Sequence, residues 1–163
     1  MRDVTDQEMR PSLRVGVVGA GRVGSVLGAA LREAGHSVVA TSAVSDASLD
    51  RAAEMLPGVP VVEVDEVVRR SDLVLVTVPD DQIASVVEGF AAMGLLDQPR
   101  MVAHAAGSLG LAPLAPVLER GGLGFALHPA MTFSGEPKDV ERLVGTIFAV
   151  TATDESLAVA QSI

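Results

Sequence analysis

No cysteine occurs among the 163 residues, which excludes disulfides, zinc–thiolate sites and a cysteine nucleophile. Lysine is nearly absent as well, Lys138 being the single one. Basic residues number 12 against 21 acidic ones, for a net charge of −9. Contacts to a nucleic-acid backbone need a basic patch, so this balance argues against nucleic-acid binding as the main task. No apolar run is long enough to span a bilayer. The first twelve residues, MRDVTDQEMRPS, lack the apolar core of a signal peptide. They read as a loose tail, 1–12, on a soluble, cytoplasmic chain with no membrane partner. Tryptophan and tyrosine are missing too, and nothing about function follows from that. The length suits one α/β domain with a sizeable core.

What is present begins with Leu13–Gly24, LRVGVVGAGRVG. The apolar run Val15 to Val18 flows directly into Gly19-Ala20-Gly21-Arg22-Val23-Gly24, the spacing of a dinucleotide-binding turn. In such a turn Gly19 permits the sharp exit from the strand and Gly21 lets the backbone approach a pyrophosphate. Gly24 lets the following helix pack closely on the sheet, with its N-terminal amides toward the phosphates. Glycine-rich loops are common, and the context is what strengthens this one. Val23, Val26, Leu27, Ala30, Leu31 and Ala34 form a helical stripe, Gly35 supplies a stop, and a second strand, 37–41, follows at once.

Strands and helices alternate from Leu13 onward, the pattern of a parallel sheet covered on both faces. The expected strands are 14–18, 37–41, 60–62, 73–78, 101–105, 124–127 and 146–150. Residues 73–78, nearly all apolar and β-branched, suit a central strand buried on both faces. A helix follows through Ile83, Val86, Val87, Phe90 and Ala91, with Asp81 placed to cap it. Thr153-Asp154-Glu155 announces another helix, an N-cap followed by acids. That helix reaches Ile163 without a C-cap, so the expected division is a dinucleotide-binding domain over 13–152 and, over 153–163, the start of a helix leading to a further domain.

In a doubly wound sheet ligands bind outside the carboxyl ends of the strands, at the switch in strand order. The turn at 19–24, the loop Val78-Pro79-Asp80-Asp81-Gln82, the segment 104–108 and the segment 128–133 should meet there. Two of the three histidines, His104 and His128, fall at these strand ends. His36 precedes its strand and reads as a solvated surface residue. A histidine at a strand end either holds a loop or does chemistry. Hydride transfer to a carbonyl or imine needs a proton donor and an orienting group, so at least one of the pair is a catalytic candidate. Ser108 either binds a substrate oxygen or starts the next helix. Lys138, in a polar loop, reads as a solvated side chain.

An NAD site usually places an acid at the end of the second strand, roughly 20 residues beyond the first glycine, to bind the ribose 2′-hydroxyl. Here the strand ends in Thr41-Ser42 and the first carboxylate is Asp46. Small hydroxylated residues such as Thr41 and Ser42 leave room for a 2′-phosphate and can hydrogen-bond it, with Arg22 and Arg51 as candidates for its charge. NADP is the expected cofactor, with NAD as the alternative, and Arg51 reads equally as a solvated helix arginine. No metal is expected.

These segments resemble a family. GAGRVGSVLGAALREAGHSV, TVPDDQI, HAAGSLG and especially ALHPAMTFSG are similar to Rossmann-like oxidoreductases carrying a C-terminal domain of unknown function. That family stands with the ketopantoate, pyrroline-5-carboxylate and prephenate reductases or dehydrogenases of the 6-phosphogluconate dehydrogenase type. The resemblance covers nearly all of residues 13–150, and the pairing of HAAGS with HPAMTFS is its most specific part. His128-Pro129 resembles the His-Pro of prephenate dehydrogenases, although Ala130-Met131-Thr132-Phe133 replaces their glycine-containing continuation. The resemblance implies an N-terminal NADP-binding domain and a helical domain that dimerises and closes over a small-molecule substrate, a 2-oxo acid or imine in a ketopantoate-reductase-like reaction. The lysine and glutamate on which ketopantoate reductases rely have no match in this chain. Two other readings share the glycine turn: a dinucleotide-sensing module without catalysis, and a reductase passing hydride between NADP and a deazaflavin.

Overall fold

The computed structural model describes residues 12–163; most of the expected tail therefore lies outside the described residues. Ser12 itself is tied down, its Oγ donating to the Gly35 carbonyl at 2.9 Å. Six strands form one sheet: β1 (Arg14–Val18), β2 (Ser37–Ser42), β3 (Leu73–Val76), β4 (Met101–His104), β5 (Leu123–Pro129) and β6 (Phe148–Ala152). Their order is β2-β1-β3-β4-β5-β6. β1 to β5 run parallel, and β6 returns antiparallel to β5. The helices are α1 (Arg22–Glu33), α2 (Asp46–Met55), α3 (Val64–Arg70), α4 (Asp80–Ala92), α5 (Ala115–Leu118), α6 (Lys138–Leu143) and α7 (Asp154–Ser162), with a 3-10 turn at Ala112–Leu114 before α5.

Strand parity divides the core. Val15 and Val17 of β1, Leu73 and Leu75 of β3, Ala103 and Phe125 pack toward α1 and α7 through Leu27 and Ala160. The alternate residues Val18, Val74, Val76 and Val102 meet Val67 and Val68 of α3 and Ile83, Val87 and Phe90 of α4. A third cluster, Val26, Met55, Leu56 and Val140, joins α1, α2 and α6. All four residues of β3 are buried, as expected for a central strand with helices on both sides.

Local signals explain the element ends. The α1 stripe stops where Gly35 takes φ +97°, the left-handed conformation that ends helices. Ser45 caps α2 by accepting from the Ser48 amide at 3.2 Å, while the Ser48 hydroxyl accepts from the Ser45 amide at 3.0 Å. Thr153 caps α7 as its sequence announces, accepting from the Ser156 amide at 3.3 Å.

Six expectations are corrected. Residues 60–62 form one parallel bridge, Val61 to Thr41, rather than a strand, because only the Thr41 amide and carbonyl find partners there, Pro60 O and Val62 N. That bridge extends the sheet outside β2, so the order with it begins with the usual 3-2-1-4-5-6 of dinucleotide folds, and β6 follows as a seventh, antiparallel member. Asp81 does not cap α4; Pro79 occupies the N-cap and Asp81 lies in the first turn. The strand expected at 146–150 is displaced to 148–152, because Gly145, at φ +81°, turns the chain first. Strands 73–78 and 101–105 end earlier than expected, at Val76 and His104, and the strand expected at 124–127 runs from Leu123 to Pro129.

Among the described residues no helix is long and apolar enough to cross a membrane.

Candidate dinucleotide site and catalytic edge

β1 lies between β2 and β3, so the chain leaves it to one side for β2 and to the other for β3. The carboxyl end of β1 is thus the switch point where a crevice opens. The glycine turn occupies it, and each glycine has a separate reason to be there. Gly19 takes φ +96°, which side-chain-bearing residues rarely adopt. A methyl at Gly24 would lie 2.2 Å from both the Gly19 carbonyl oxygen and the Thr77 hydroxyl, so this position holds α1 against the strand ends. Gly21 is different. Its backbone is ordinary extended chain, φ −78° and ψ −163°, and a methyl added there meets no atom within 4 Å. Packing does not require glycine at 21. The space beside it is open to whatever approaches the helix end.

That end offers donors. Gly21 is the N-cap of α1, with no side chain capping it and no acid in the first turn. The first amides of a helix have no intrahelical partner, and the helix dipole favours an anion beside them. Arg22 is exposed at the first helical position. Ala20 is fully buried, its amide donating to the Ser42 carbonyl at 2.9 Å, and Val23 is half-buried against the α1-side core. Ala20 and Val23 therefore shape the turn through backbone and packing.

Hydroxyls seal the floor of the crevice. The Thr77 hydroxyl donates to the Gly19 carbonyl at 2.8 Å. The Ser42 hydroxyl accepts from the Gly19 amide at 3.1 Å. Thr41 is fully buried and its hydroxyl donates to the Val17 carbonyl at 2.9 Å. Thr41 was expected to meet a 2′-phosphate; that is corrected, because its side chain points beneath the rim and its only proton is already committed.

Arg51 and the backbone of Arg22 meet at one turn. Arg51 is half-exposed on α2, its guanidinium donating to the Ala47 carbonyl at 3.2 Å. A methyl at Gly135 would lie 2.9 Å from Nε of Arg51 and 3.1 Å from Cα of Arg22. The turn at 134–135 therefore packs beside both. It is pinned by Asp139, a fully buried carboxylate. One oxygen accepts from the Ser134 amide (2.6 Å), the Gly135 amide (2.9 Å) and the Ser134 hydroxyl (3.0 Å). The other accepts from Arg142 at 2.9 Å. Burial alone raises a carboxyl pKa, but these donors, led by the two amides, outweigh it and hold Asp139 at about 2. Sequence reasoning missed this turn; its signal was an aspartate spaced to reach back to Ser134-Gly135. Lys138 behaves as expected, exposed and paired with Glu136 at 2.5 Å.

Across the crevice, Val78 is half-buried, and Pro79 and Gln82 are exposed at the start of α4. Val44, missed in the sequence, is almost fully exposed just past β2.

The two histidines part company. His104 is fully buried; its Nδ1 accepts from the Ala106 amide at 3.1 Å, which leaves the proton on Nε2, donated to the Gly110 carbonyl at 2.8 Å. Both ring nitrogens are engaged with backbone, so the catalytic role expected for His104 is corrected to a structural one. His128 is exposed. Its Nδ1 lies 3.0 Å from the Ala105 carbonyl; a carbonyl only accepts, so Nδ1 carries the proton and Nε2 of the neutral ring keeps the lone pair. Ser108 is exposed, and it does not start the next helix, whose N-cap is Leu111. His36 is half-buried, accepting from the Leu13 amide at 3.2 Å on the opposite edge. A groove of about 540 Å³ lies elsewhere, on the sheet face between α1, α6 and α7, lined by apolar side chains such as Leu31, Leu75, Leu127 and Phe148; no catalytic candidate reaches it.

A doubly wound sheet with a glycine turn at its switch point defines a dinucleotide-binding type of domain. The chain belongs to the Rossmann-like domain family, which matches residues 2–129. No curated protein matches it. Among solved structures it is similar to the 3-hydroxyisobutyrate dehydrogenase of Mycobacterium tuberculosis, with TM-score 0.71, 18% identity, and 92% of this chain and 50% of that one covered. It is similar also to the prephenate dehydrogenase of A. aeolicus, solved with hydroxyphenyl propionate and NAD+ (TM-score 0.70, 18% identity, 94% and 57% covered). An imine reductase from Pseudomonas sp. gives TM-score 0.68 and 19% identity, with 93% and 51% covered. The chain thus spans about half the length of each.

Proposed function

We propose that this chain is the cofactor-binding portion of an NADP(H)-dependent oxidoreductase acting on a small 2-oxo acid or imine. The observation that carries the reading is Gly21: an N-cap glycine that neither φ nor packing demands, beside uncapped helix amides at the sheet's switch point. That is the fit a pyrophosphate needs. Gly19 and Gly24 shape the turn, the α1 amides receive the phosphates, and Arg22 and Arg51 supply the charge for a 2′-phosphate, a role supported by the packing of Arg51 beside the Arg22 backbone. Ser42 keeps the turn in register, and Val78, Pro79, Gln82 and the apolar Val44 flank the site. When bound, NADP(H) supplies or accepts the hydride.

The chain's own contribution to the chemistry is the proton. Reduction of a carbonyl adds a hydride to carbon and a proton to oxygen. His128 as imidazolium donates from Nε2 to that oxygen, or to the nitrogen of an imine, and is left as the Nδ1–H ring that the Ala105 carbonyl favours. In the oxidative direction the same neutral ring takes the proton back. Ser108 is within the same loop cluster to orient the substrate atom. A sensing module would need the glycine turn but not an exposed histidine with a free nitrogen, and this favours the enzyme.

Fluorescence titration with NADPH and NADH tests the cofactor reading. NADPH should bind more tightly. Equal affinities, or an NADH preference, would sink the 2′-phosphate assignment.

A further inference from the structure

His104 and His128 are coupled through the loop between β4 and the 3-10 turn. We propose that the Ala105–Gly110 loop, braced from beneath by His104, fixes the tautomer and aim of the His128 imidazole, with Gly107 as its positioning residue. The catalytic value of this device rests on the proton-donor reading of His128; its geometry does not.

The bracing starts at the end of β4. His104 takes the Ala106 amide on one nitrogen and gives its proton to the Gly110 carbonyl from the other. A single buried ring thereby holds the loop at both ends. So held, the loop presents the Ala105 carbonyl toward β5, 3.0 Å from Nδ1 of His128. An oxygen in that place selects the Nδ1–H form and leaves the lone pair on Nε2 when the ring is neutral.

Gly107 supplies the seat. A methyl there would lie 2.7 Å from Cδ2, 2.8 Å from Nε2 and 2.9 Å from Cγ of His128, so any side chain at 107 would evict the ring. Its φ is outside the left-handed region, unlike that of Gly110 at +57°. The backbone does not require glycine at 107. The ring does.

Register makes the arrangement possible. His104 pairs with Ala126, so His128 stands two residues past the end of β4, about 6–7 Å further along the strand direction. It clears the rim while His104, on the same face by strand parity, stays beneath the loop.

The chain has only three histidines, and the structure gives them contrasting tautomers. Nδ1 of His36 accepts from the Leu13 amide and Nδ1 of His104 from the Ala106 amide, so both hold the proton on Nε2. His128 alone holds it on Nδ1. Long-range ¹H–¹⁵N NMR at about pH 9, well above the ordinary imidazole pKa of ~6.5, reads each ring without cofactor or substrate. The expected result is one Nδ1–H ring in the wild type, lost in Gly107→Ala while the other two rings keep theirs. The melting temperature should hardly move, since the atoms displaced belong to an exposed side chain. His104→Gln should release His128 as well; if it does not fold, Gly107→Ala decides alone. Three Nε2–H rings in the wild type, or an unchanged His128 in Gly107→Ala, would overturn the proposal. Full turnover by His128→Asn overturns the proton-donor reading instead, so the two ideas fail separately.

Discussion

Replacing Gly21 with valine separates ligand binding from folding. The backbone there, φ −78° and ψ −163°, lies in the extended region that β-branched residues favour. Beyond its own chain neighbours, no heavy atom lies within 4 Å of an added methyl, so no core contact is strained and the fold should persist. The valine instead fills the space beside the first amides of α1. If it denies a pyrophosphate two charge-assisted amide bonds, each worth about 1.5–3 kcal/mol, NADPH affinity falls by about 10²–10⁴-fold. Gly24→Ala is the companion. Its methyl lies 2.2 Å from Gly19 O and Thr77 Oγ1, an overpacking that costs about 1–3 kcal/mol of stability. NADPH fluorescence titration and thermal melting by circular dichroism, on the same samples, read both effects. A Gly21→Val protein with an unchanged melting temperature and wild-type NADPH affinity would show that the turn is not the phosphate site.

Arg51→Ala should weaken NADPH binding by roughly 10-fold, the effect of one exposed charge-assisted contact, and leave NADH binding unchanged; equal losses for both would refute the 2′-phosphate role. His104→Asn removes a buried, doubly bonded ring and should cost about 2–4 kcal/mol, seen as a lower denaturation midpoint. His128→Asn should keep NADPH affinity within a few-fold and lower NADPH oxidation by about 10²–10⁴-fold in the form of the enzyme that turns over a panel of small 2-oxo acids and cyclic imines. Asp139 gives a pH signature: its folded pKa, about 2, is below the ordinary 3.8. Between these values the unfolded chain binds the proton more readily. Its contribution is thus full above about pH 4 and disappears as pH falls through 2. The destabilisation by Asp139→Asn should shrink over the same range in denaturation series, and a penalty independent of pH would refute the assignment.

Much of this architecture was legible because it is periodic. The stripe from Val23 to Ala34, the stop at Gly35 and the unbroken apolar run of β3 each restate a geometric period, and the elements form where those periods place them. Side-chain destinations were less legible. His104 and His128 both end strands, yet one is buried under a loop and the other stands clear of it. The difference is a two-residue offset in the register of β4 and β5, a property of two distant segments together. Thr41 was misread for a related reason: the sequence gives the strand's end but not that its hydroxyl turns toward the Val17 carbonyl. The bridge at Val61 shows the limit of local propensity, since a short apolar run at a sheet edge had backbone partners on one side only. Asp139 escaped notice because an acid early in a helix looks like any other until the turn it gathers is seen.

The sealed floor of the crevice has a consequence for how such a chain changes over time. Thr41, Ser42 and Thr77 spend their hydroxyls on the backbone around the end of β1, and none of them is charged. The arginines beside the site, Arg22 and Arg51, are on solvent-facing helix positions and contribute nothing to that floor. On the proposed role of Arg22 and Arg51, the residues that hold the domain together and those that would tell one phosphate pattern from another are therefore different residues. Selection can exchange the second set while the first stays fixed, which leaves cofactor preference free to drift between descendants that share one unaltered scaffold.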